Sequence, residues 1–352
     1  MVSITEASEE YKMQRNIFYK LILISLLLFS TTFALVGEEA ILIDFSQLIP
    51  DYPSDNPKFH ERTVVDFSIV AGTNFTEEAK KQMKASLSIP EWMVILNSSA
   101  RNNFTQSLTY ARPAQVNPDS QFFPGQTVMG IRALFPTEPY NAYIDIKPAF
   151  RIPAYEDKSE VQADGTLVVT DEEKGMGRKF EGFGVVKNVG MLRTLKMNVY
   201  GLNYPHRLAA VVETSEGEET EILLSPLEFD GWKELSWKNP NYIEDVRFRT
   251  LRVRPLYPRM TPYVRLKGFR IYRNGMKVGG DFVSYIKDAT ITFDKALLQL
   301  ERSIDDERVW GIIGERLAAR RRAELDTLSR KEVLRYIERL KKHKVQDIDI
   351  VE

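Results

Sequence analysis

The 352-residue chain contains no cysteine. Disulfides, thiolate metal ligands and a cysteine nucleophile are therefore excluded, so an exported protein with this sequence must be stable on its core alone. Histidine is also scarce, since only His60, His206 and His343 occur and they are far apart in the chain. None stands in the H-E-x-x-H spacing that places two zinc ligands on one helical face, so a zinc enzyme is not predicted.

Neither sign of charge is in excess. The chain has 48 Lys and Arg against 49 Asp and Glu, for a formal net charge of −1. A large basic excess is what draws a protein to nucleic acid or to a membrane surface. Neither partner is predicted, and any electrostatic function must come from local charge.

Long apolar runs are missing as well. The run at 21–29 follows Lys12, Arg15 and Lys20 and precedes small residues at 32–34. It has about half the ~20 residues that a spanning helix needs, so it is typical of a secretory signal peptide. We predict a leader over 1–34, with Met13 as a second candidate start. Without a lipobox cysteine the mature chain has no lipid anchor, which predicts a periplasmic protein with no membrane contact after cleavage.

Motifs that carry enzyme chemistry are absent too. The pairs Gly175/Gly177 and Gly182/Gly184 lack the third glycine of a dinucleotide site, and no P-loop or G-x-S-x-G elbow occurs. Aspartates on or beside predicted strands are expected to be ordinary strand-edge carboxylates, although a structural calcium site among them would fit a sandwich. We therefore predict no catalytic, cofactor-binding or metal-binding residue and no enzyme.

Short alternating apolar runs dominate the chain from 35 to 296. Because they are separated by turn-forming residues and not by helices, they predict an antiparallel β-sandwich, jelly-roll-like, for this range. One helix is predicted at 76–87 with Thr76 as its N-cap. The polar segment at 156–174 is predicted as a hairpin, with an exposed loop as the alternative. The predicted strands are 41–45, 64–70, 92–96, 128–135, 142–146, 191–200, 207–212, 221–224, 232–237, 246–253, 263–272 and 282–293.

The character of the chain changes at 297. Residues 297–352 are rich in Arg, Glu, Leu and Ala at helical spacing, which predicts a charged α-helical tail. Its apolar stripe is narrow. The pattern leaves open whether this tail lies on the sandwich, on a neighbouring subunit or partly in solvent.

Local charge is the most informative feature. Arg and Lys cluster over 247–277, a stretch without Asp or Glu, whereas 213–221 and 156–173 are acidic. Alternation along 263–272 predicts apolar residues facing the core and arginines facing outward. Separated patches of opposite sign suit contact between identical subunits or with an acidic partner. The candidate interface residues are Arg247, Arg249, Arg252, Arg254, Tyr257, Arg259, Arg265, Arg270 and Arg273.

Several segments in the second half of the chain resemble sequence motifs of a known family. They are VKNVGMLRTL at 186–195, YGLNYPHRL at 200–208, FDGWKELSWKNP at 229–240, LRVRPLYPRMTP at 251–262, KGFRIY at 267–272 and GGDFVSYIKD at 279–288. In this order they resemble the outer-layer (sheath) proteins of spirochaete periplasmic flagellar filaments. The first half agrees more loosely, through IDF at 43–45, RTVVDF at 62–67 and WMVILNSSAR at 92–101.

The resemblance implies a structural subunit that coats a flagellin core and modulates filament stiffness and shape for motility. Its implied partners are the flagellin core and other sheath subunits in an oligomeric assembly, and no cofactor comes with it. The main alternative is a periplasmic carbohydrate-binding sandwich, which would need exposed aromatics such as Trp232, Trp237 or Tyr257. A periplasmic glycan-processing enzyme ranks third, because it needs two convergent carboxylates.

Overall fold

The structure, a computed structural model, describes residues 37–49, 63–70, 75–81, 83–138, 140–155, 160–161, 167–168, 180–245, 253–255, 257–276, 279–299 and 303–349. The predicted leader lies outside these residues, as do Arg247, Arg249 and Arg252. Contacts group Glu39–Glu352 into one compact unit. In the described part of the chain, no helix combines the length and apolar character needed to cross a membrane.

Eighteen strands and four helices make up the described chain. The strands are β1 (Glu38–Asp44), β2 (Val65–Asp66), β3 (Lys84–Ala85), β4 (Met93–Leu96), β5 (Tyr110–Gln115), β6 (Thr127–Phe135), β7 (Tyr143–Lys147), β8 (Glu160–Val161), β9 (Leu167–Val168), β10 (Val185–Lys187), β11 (Val189–Leu202), β12 (Arg207–Thr214), β13 (Glu219–Pro226), β14 (Asp230–Lys238), β15 (Val253–Pro255), β16 (Tyr263–Tyr272), β17 (Gly280–Lys295) and β18 (Leu297–Gln299). The helices are α1 (Glu77–Lys81), α2 (Asn103–Ser107), α3 (Asp306–Trp310) and α4 (Ile312–Asp349).

Two six-stranded sheets form the sandwich. The first sheet has the order β14-β11-β17-β6-β5, with β1 also on β17, and the second has the order β13-β12-β16-β7-β4, with β10 also on β16. The pairings along both paths are antiparallel. The predicted mainly β, antiparallel sandwich is confirmed.

One apolar core lies between the sheets. Leu195, Met197 and Val199 enter it from β11 at alternate positions, and Leu266 and Phe269 enter it from β16. Alternation of this kind places every second residue of a strand in the core. The ring of Phe45 packs edge-on against Trp92 at 5.1 Å, and Trp92 stacks on Phe269 at 6.3 Å.

Local differences from the predicted elements have simple causes. The helix at 76–87 is only α1, capped by the Thr76 hydroxyl, which accepts from Ala79 N at 3.2 Å. The chain then enters β3, which pairs with β2. The hairpin at 156–174 is confirmed where it is described, because β8 pairs antiparallel with β9.

The helical tail lies on the sandwich over the first part of α4. Ile313 and Leu328 are buried, and Leu317 packs against the core. The carboxylate of Glu307 accepts from Ile313 N at 3.1 Å and from Gly314 N at 2.9 Å, so a residue of the first turn of α3 caps the start of α4. Of the placements that the sequence left open, the structure shows the one on the sandwich.

Candidate interface surfaces

Strand β16 is the centre of the basic stretch and of the second sheet. Its residues Val264, Leu266, Phe269 and Ile271 are buried, as the alternation predicts. The three-residue step from Leu266 to Phe269 breaks strict alternation. A β-bulge at Gly268 (φ 155°) absorbs the extra residue, so both side chains still face the core.

The prediction that the arginines of this strand face outward is wrong for Arg265. Only 1% of Arg265 is exposed, and its guanidinium donates to Glu213 Oε1 at 2.7 Å and to the carbonyl of Ile152 at 3.0 Å. Arg151 also pairs with Glu213. The side chain does leave the core side of the sheet, but there it is enclosed by other parts of the chain.

The tail helix contributes to this enclosure. Arg320 of α4 donates to the hydroxyl of Tyr263 at 3.4 Å, and Arg316 donates to the carbonyl of Pro258 at 3.1 Å. Glu324 lies near the Arg265 cluster, and burial raises the pKa of its carboxyl although Arg265 and Arg151 oppose the shift. Around Arg265, the face that the sequence predicts to be outward is therefore enclosed between the second sheet and α4.

Arg273 is another buried arginine of the stretch. It donates to the carbonyls of Pro136, Glu138 and Tyr140, so it ties the end of β16 to the loop after β6. Its guanidinium is therefore occupied within the molecule, and the interface role for which Arg273 is a candidate stays a prediction. A buried guanidinium is tolerated here because backbone carbonyls accept from it.

Arg270 is half-buried and paired. It donates to Asp145 Oδ1 at 2.7 Å and to Glu221 Oε2 at 3.0 Å, and its hydrogen bond to Asp145 is the largest cause that raises its pKa. Lys267 likewise pairs with Glu219. The acidic residues of β13 thus neutralise the basic residues of β16 across β12, which lies between them.

The acidic stretch at 213–221 is therefore not a separate patch, whereas most of the acidic stretch at 156–173 lies outside the described residues. Glu213 is buried; burial would raise its pKa, but Arg265 and Arg151 hold that pKa below its usual value. Glu216 lies 3.9 Å from Arg254. An interface built on these charges would first have to break pairs within one molecule.

Besides Arg270, three described candidates keep a partly or fully exposed side chain: Arg259 is exposed, while Arg254 and Tyr257 are half-buried. Arg254 lies in β15, and Tyr257 and Arg259 lie on the loop from β15 to β16, which the sequence predicts as a surface connection because of its prolines. A role for Arg254, Tyr257 and Arg259 in contact stays a prediction, as does that of Arg247, Arg249 and Arg252.

A second surface was missed by the sequence argument. On the first sheet, Trp232, Tyr200 and Tyr285 occupy directly opposite positions on β14, β11 and β17. Trp232 meets Tyr200 edge-on at 5.4 Å, and Tyr200 meets Tyr285 edge-on at 5.8 Å. We call these three residues the aromatic row. Strand register, which the sequence does not display, is what brings them together.

The row lies on the outer face of the first sheet. Val199 precedes Tyr200 on β11, and Ile286 follows Tyr285 on β17. Both are buried in the core. Because successive side chains of a strand point to opposite faces, the rings of Tyr200 and Tyr285 point away from the core. All three rings are half-buried. Phe123, from the loop between β5 and β6, closes one end of the row with its ring 5.0 Å from Trp232.

The other aromatics that the carbohydrate-binding alternative needs behave differently. Trp237 packs against the core, and Tyr257 belongs to the loop before β16. Trp232 is the one of the three that joins a row of rings. In the part of the chain that the structure describes, no three His, Asp or Glu side chains lie where they could hold a metal ion.

Comparison with known proteins connects this chain to one family. The family model described as flagellar filament outer layer protein matches residues 57–302. The flagellar filament outer layer protein of Treponema pallidum is 44% identical over 312 residues, covering 87% of this chain and 89% of that protein. The protein of the same description from Spirochaeta aurantia is 41% identical over 313 residues, covering 89% and 90%.

Solved structures add only weak likenesses. A carbohydrate-binding module in complex with β-1,4-galactotriose has a TM-score of 0.26 at 11% identity, covering 58% of this chain and 88% of that one. A family 11 carbohydrate-binding module from a Clostridium thermocellum cellulase has a TM-score of 0.26 at 7% identity, covering 60% and 91%. TM-scores this low do not support any conclusion about function. The matches in sequence decide the assignment: the chain belongs to the flagellar filament outer layer protein family.

Proposed function

We propose that this protein is a subunit of the outer layer of the periplasmic flagellar filament, where it coats the flagellin core and sets filament stiffness and shape. The observation that carries the proposal is the match to two filament outer layer proteins over almost nine-tenths of the chain. Most residues that pack the core belong to the range matched by the family model, although β1 and α4 add Leu42, Ile43 and Leu328 from outside it.

The fold supports a structural role. A sandwich with one continuous core and a helix docked across one sheet resists local opening, as a load-bearing layer requires. Its accessible candidates for contact are Arg254, Tyr257 and Arg259. Arg and Tyr are among the residues that carry most binding energy in protein interfaces.

Deleting the gene and isolating the filaments tests the role. We expect filaments that are thinner and more flexible, with a shorter persistence length in electron micrographs, and recovery when the wild-type gene is restored. Filaments of unchanged thickness and stiffness would contradict the proposal.

A charge reversal tests the contact residues separately. We expect Arg259→Glu to lower co-sedimentation of the purified protein with stripped filaments, because this exposed cation would become an anion. Arg101→Glu is the matched control, since Arg101 is also exposed but belongs to the segment after β4 and not to the β15–β16 loop. Equal co-sedimentation of both variants would remove Arg259 from the contact.

A further inference from the structure

We propose that the aromatic row on the first sheet binds a short chain of neutral pyranose sugars. This inference does not depend on the proposed function, because it concerns a different face of the sandwich. The row continues in register beyond Tyr285 to Gly130 on β6 and Arg112 on β5. It therefore crosses five strands, about 19 Å at the usual strand spacing, which suits an extended oligosaccharide.

Gly130 shapes the middle of the row. A Cβ at this position would lie 3.1 Å from Tyr285 Cε1 and 3.2 Å from Cδ1, so the ring occupies the space that a side chain would fill. The Tyr285 ring thus packs against the backbone of β6 on the outer face of the sheet. A half-buried aromatic ring on an outer face is the kind of group that stacks on the C–H face of a pyranose.

Polar groups line the end of the row beyond Gly130. Arg132 donates to Asp281 Oδ1 through Nε at 3.0 Å and through Nη2 at 2.8 Å, and to the hydroxyl of Tyr110 at 3.4 Å. The guanidinium of Arg112 lies 4.5 Å over the Tyr110 ring. Planar donors and acceptors next to ring faces match the alternating hydroxyl edges and C–H faces of a sugar.

Apart from Arg112, whose guanidinium lies over the Tyr110 ring, the charged side chains named on this face are paired, which favours a neutral ligand. Arg132 pairs with Asp281, and Lys196 lies 3.6 Å from Glu234. Beneath Phe123, Lys287 pairs with Asp288 at 2.7 Å. A surface for nucleic acid or for anionic lipid would instead hold cations without carboxylate partners.

A protein partner is less well matched to the row. Protein interfaces have a strongly exposed apolar centre, and this chain has such residues on and before α3, where Ile304, Val309 and Trp310 are 65%, 63% and 66% exposed. The rings of the row are half-buried against one another, and hydrogen-bonding groups adjoin them. This combination favours a small polar ligand with apolar faces.

Binding can be measured on the purified protein with an array of neutral linear hexasaccharides of glucose, galactose, mannose and N-acetylglucosamine. The best of these is then titrated by calorimetry. We expect Trp232→Ala and Tyr285→Ala each to lower the affinity by about tenfold or more. Tyr285→Phe keeps the ring and is expected to stay within about threefold.

Gly130→Ala gives the sharpest test, because it removes no ring and only tilts Tyr285. We expect it to lower affinity while the thermal unfolding midpoint shows that the protein still folds. Trp310→Ala is the matched control, an exposed tryptophan on α3 whose loss should leave affinity unchanged.

Competition by the bound hexasaccharide against capture on stripped filaments or on peptidoglycan sacculi identifies which of the two carries the sugar. The proposal fails if every hexasaccharide binds the wild-type protein no more tightly than it binds the Trp232→Ala/Tyr285→Ala double variant. It also fails if Tyr285→Ala abolishes capture on filaments and no saccharide competes, because the row would then be a protein interface.

Discussion

Arg265 and Glu213, on neighbouring strands of the second sheet, form an ion pair with an N–O distance of 2.7 Å in which neither side chain is more than 6% exposed. The pair lies next to α4, where the positive charge of Arg265 acts to lower the pKa of Glu324. A basic residue that the sequence placed on an interaction surface thus stabilises the attachment of the tail to the body.

Removing the guanidinium of Arg265 should destabilise the folded protein. We expect Arg265→Leu to lower the free energy of unfolding by about 3 kcal/mol or more, because Glu213 stays buried without its main partner. Chemical denaturation measures the change. Arg259→Ala, at an exposed position in the same stretch, is the control and should change stability by less than about 0.5 kcal/mol. Equal effects of the two variants would place Arg265 on the surface.

The bulge at Gly268 should not tolerate a side chain. A Cβ there would overlap the carbonyl oxygen of Ile146 on β7, and the backbone has a φ of 155°. We expect Gly268→Ala to destabilise the protein by about 2–3 kcal/mol, since the neighbouring backbone cannot easily move. Gly275→Ala is the control, because nothing lies within 4 Å of its added methyl group. A neutral Gly268→Ala would show that β16 has no bulge here.

Stability should fall in acid because of His206. This residue is buried among Phe135, Phe282 and Tyr204, and burial lowers its pKa to about 4. The unfolded chain, with a pKa near 6.5, then binds the proton more readily than the folded protein. Folding is therefore weakened progressively as pH drops from 6.5 toward 4, by about 2 kcal/mol between pH 7 and pH 4.5.

Replacing the imidazole isolates this contribution from that of the carboxyl groups. We expect His206→Gln to reduce the loss of unfolding free energy between pH 7 and pH 4.5, measured by urea titration at each pH. The same slope in the wild-type protein and in His206→Gln would contradict a buried neutral His206.

Glu324 should change the pH dependence of stability in the opposite direction to His206. Burial raises its pKa above the unfolded value, so its charged form weakens folding at pH above the unfolded pKa, and protonation relieves this as pH falls. Its Oε1 atom is buried without a hydrogen-bond partner. We expect Glu324→Gln to keep or raise the thermal midpoint at pH 7. Glu315→Gln on the same helix is the comparison, and a lower midpoint for Glu324→Gln alone would refute this account.

Much of the fold could be predicted because alternation is a local signal. The runs at 128–135, 263–272 and 282–293 all lie within strands of the sandwich. Strand β5 was missed, since its sequence YARPAQ contains Pro113 and shows little apolar alternation. It is an edge strand, the place where a sheet tolerates proline.

The surfaces were harder to predict because they depend on which strands are neighbours. Lys267 and Glu219 are far apart in the chain, yet β12 brings their strands into one sheet. Composition showed two stretches of opposite charge but not that they pair with each other. The aromatic row depends in the same way on the register that aligns Tyr200 with both Trp232 and Tyr285.

The central claim is that this protein forms the outer layer of the filament. Cryo-electron microscopy of isolated periplasmic filaments tests it most directly. The account predicts density outside the flagellin core that fits the two-sheet sandwich with α4 docked on the second sheet. Wild-type filaments whose outer density lacks this sandwich, or is unchanged when the gene is deleted, would contradict it.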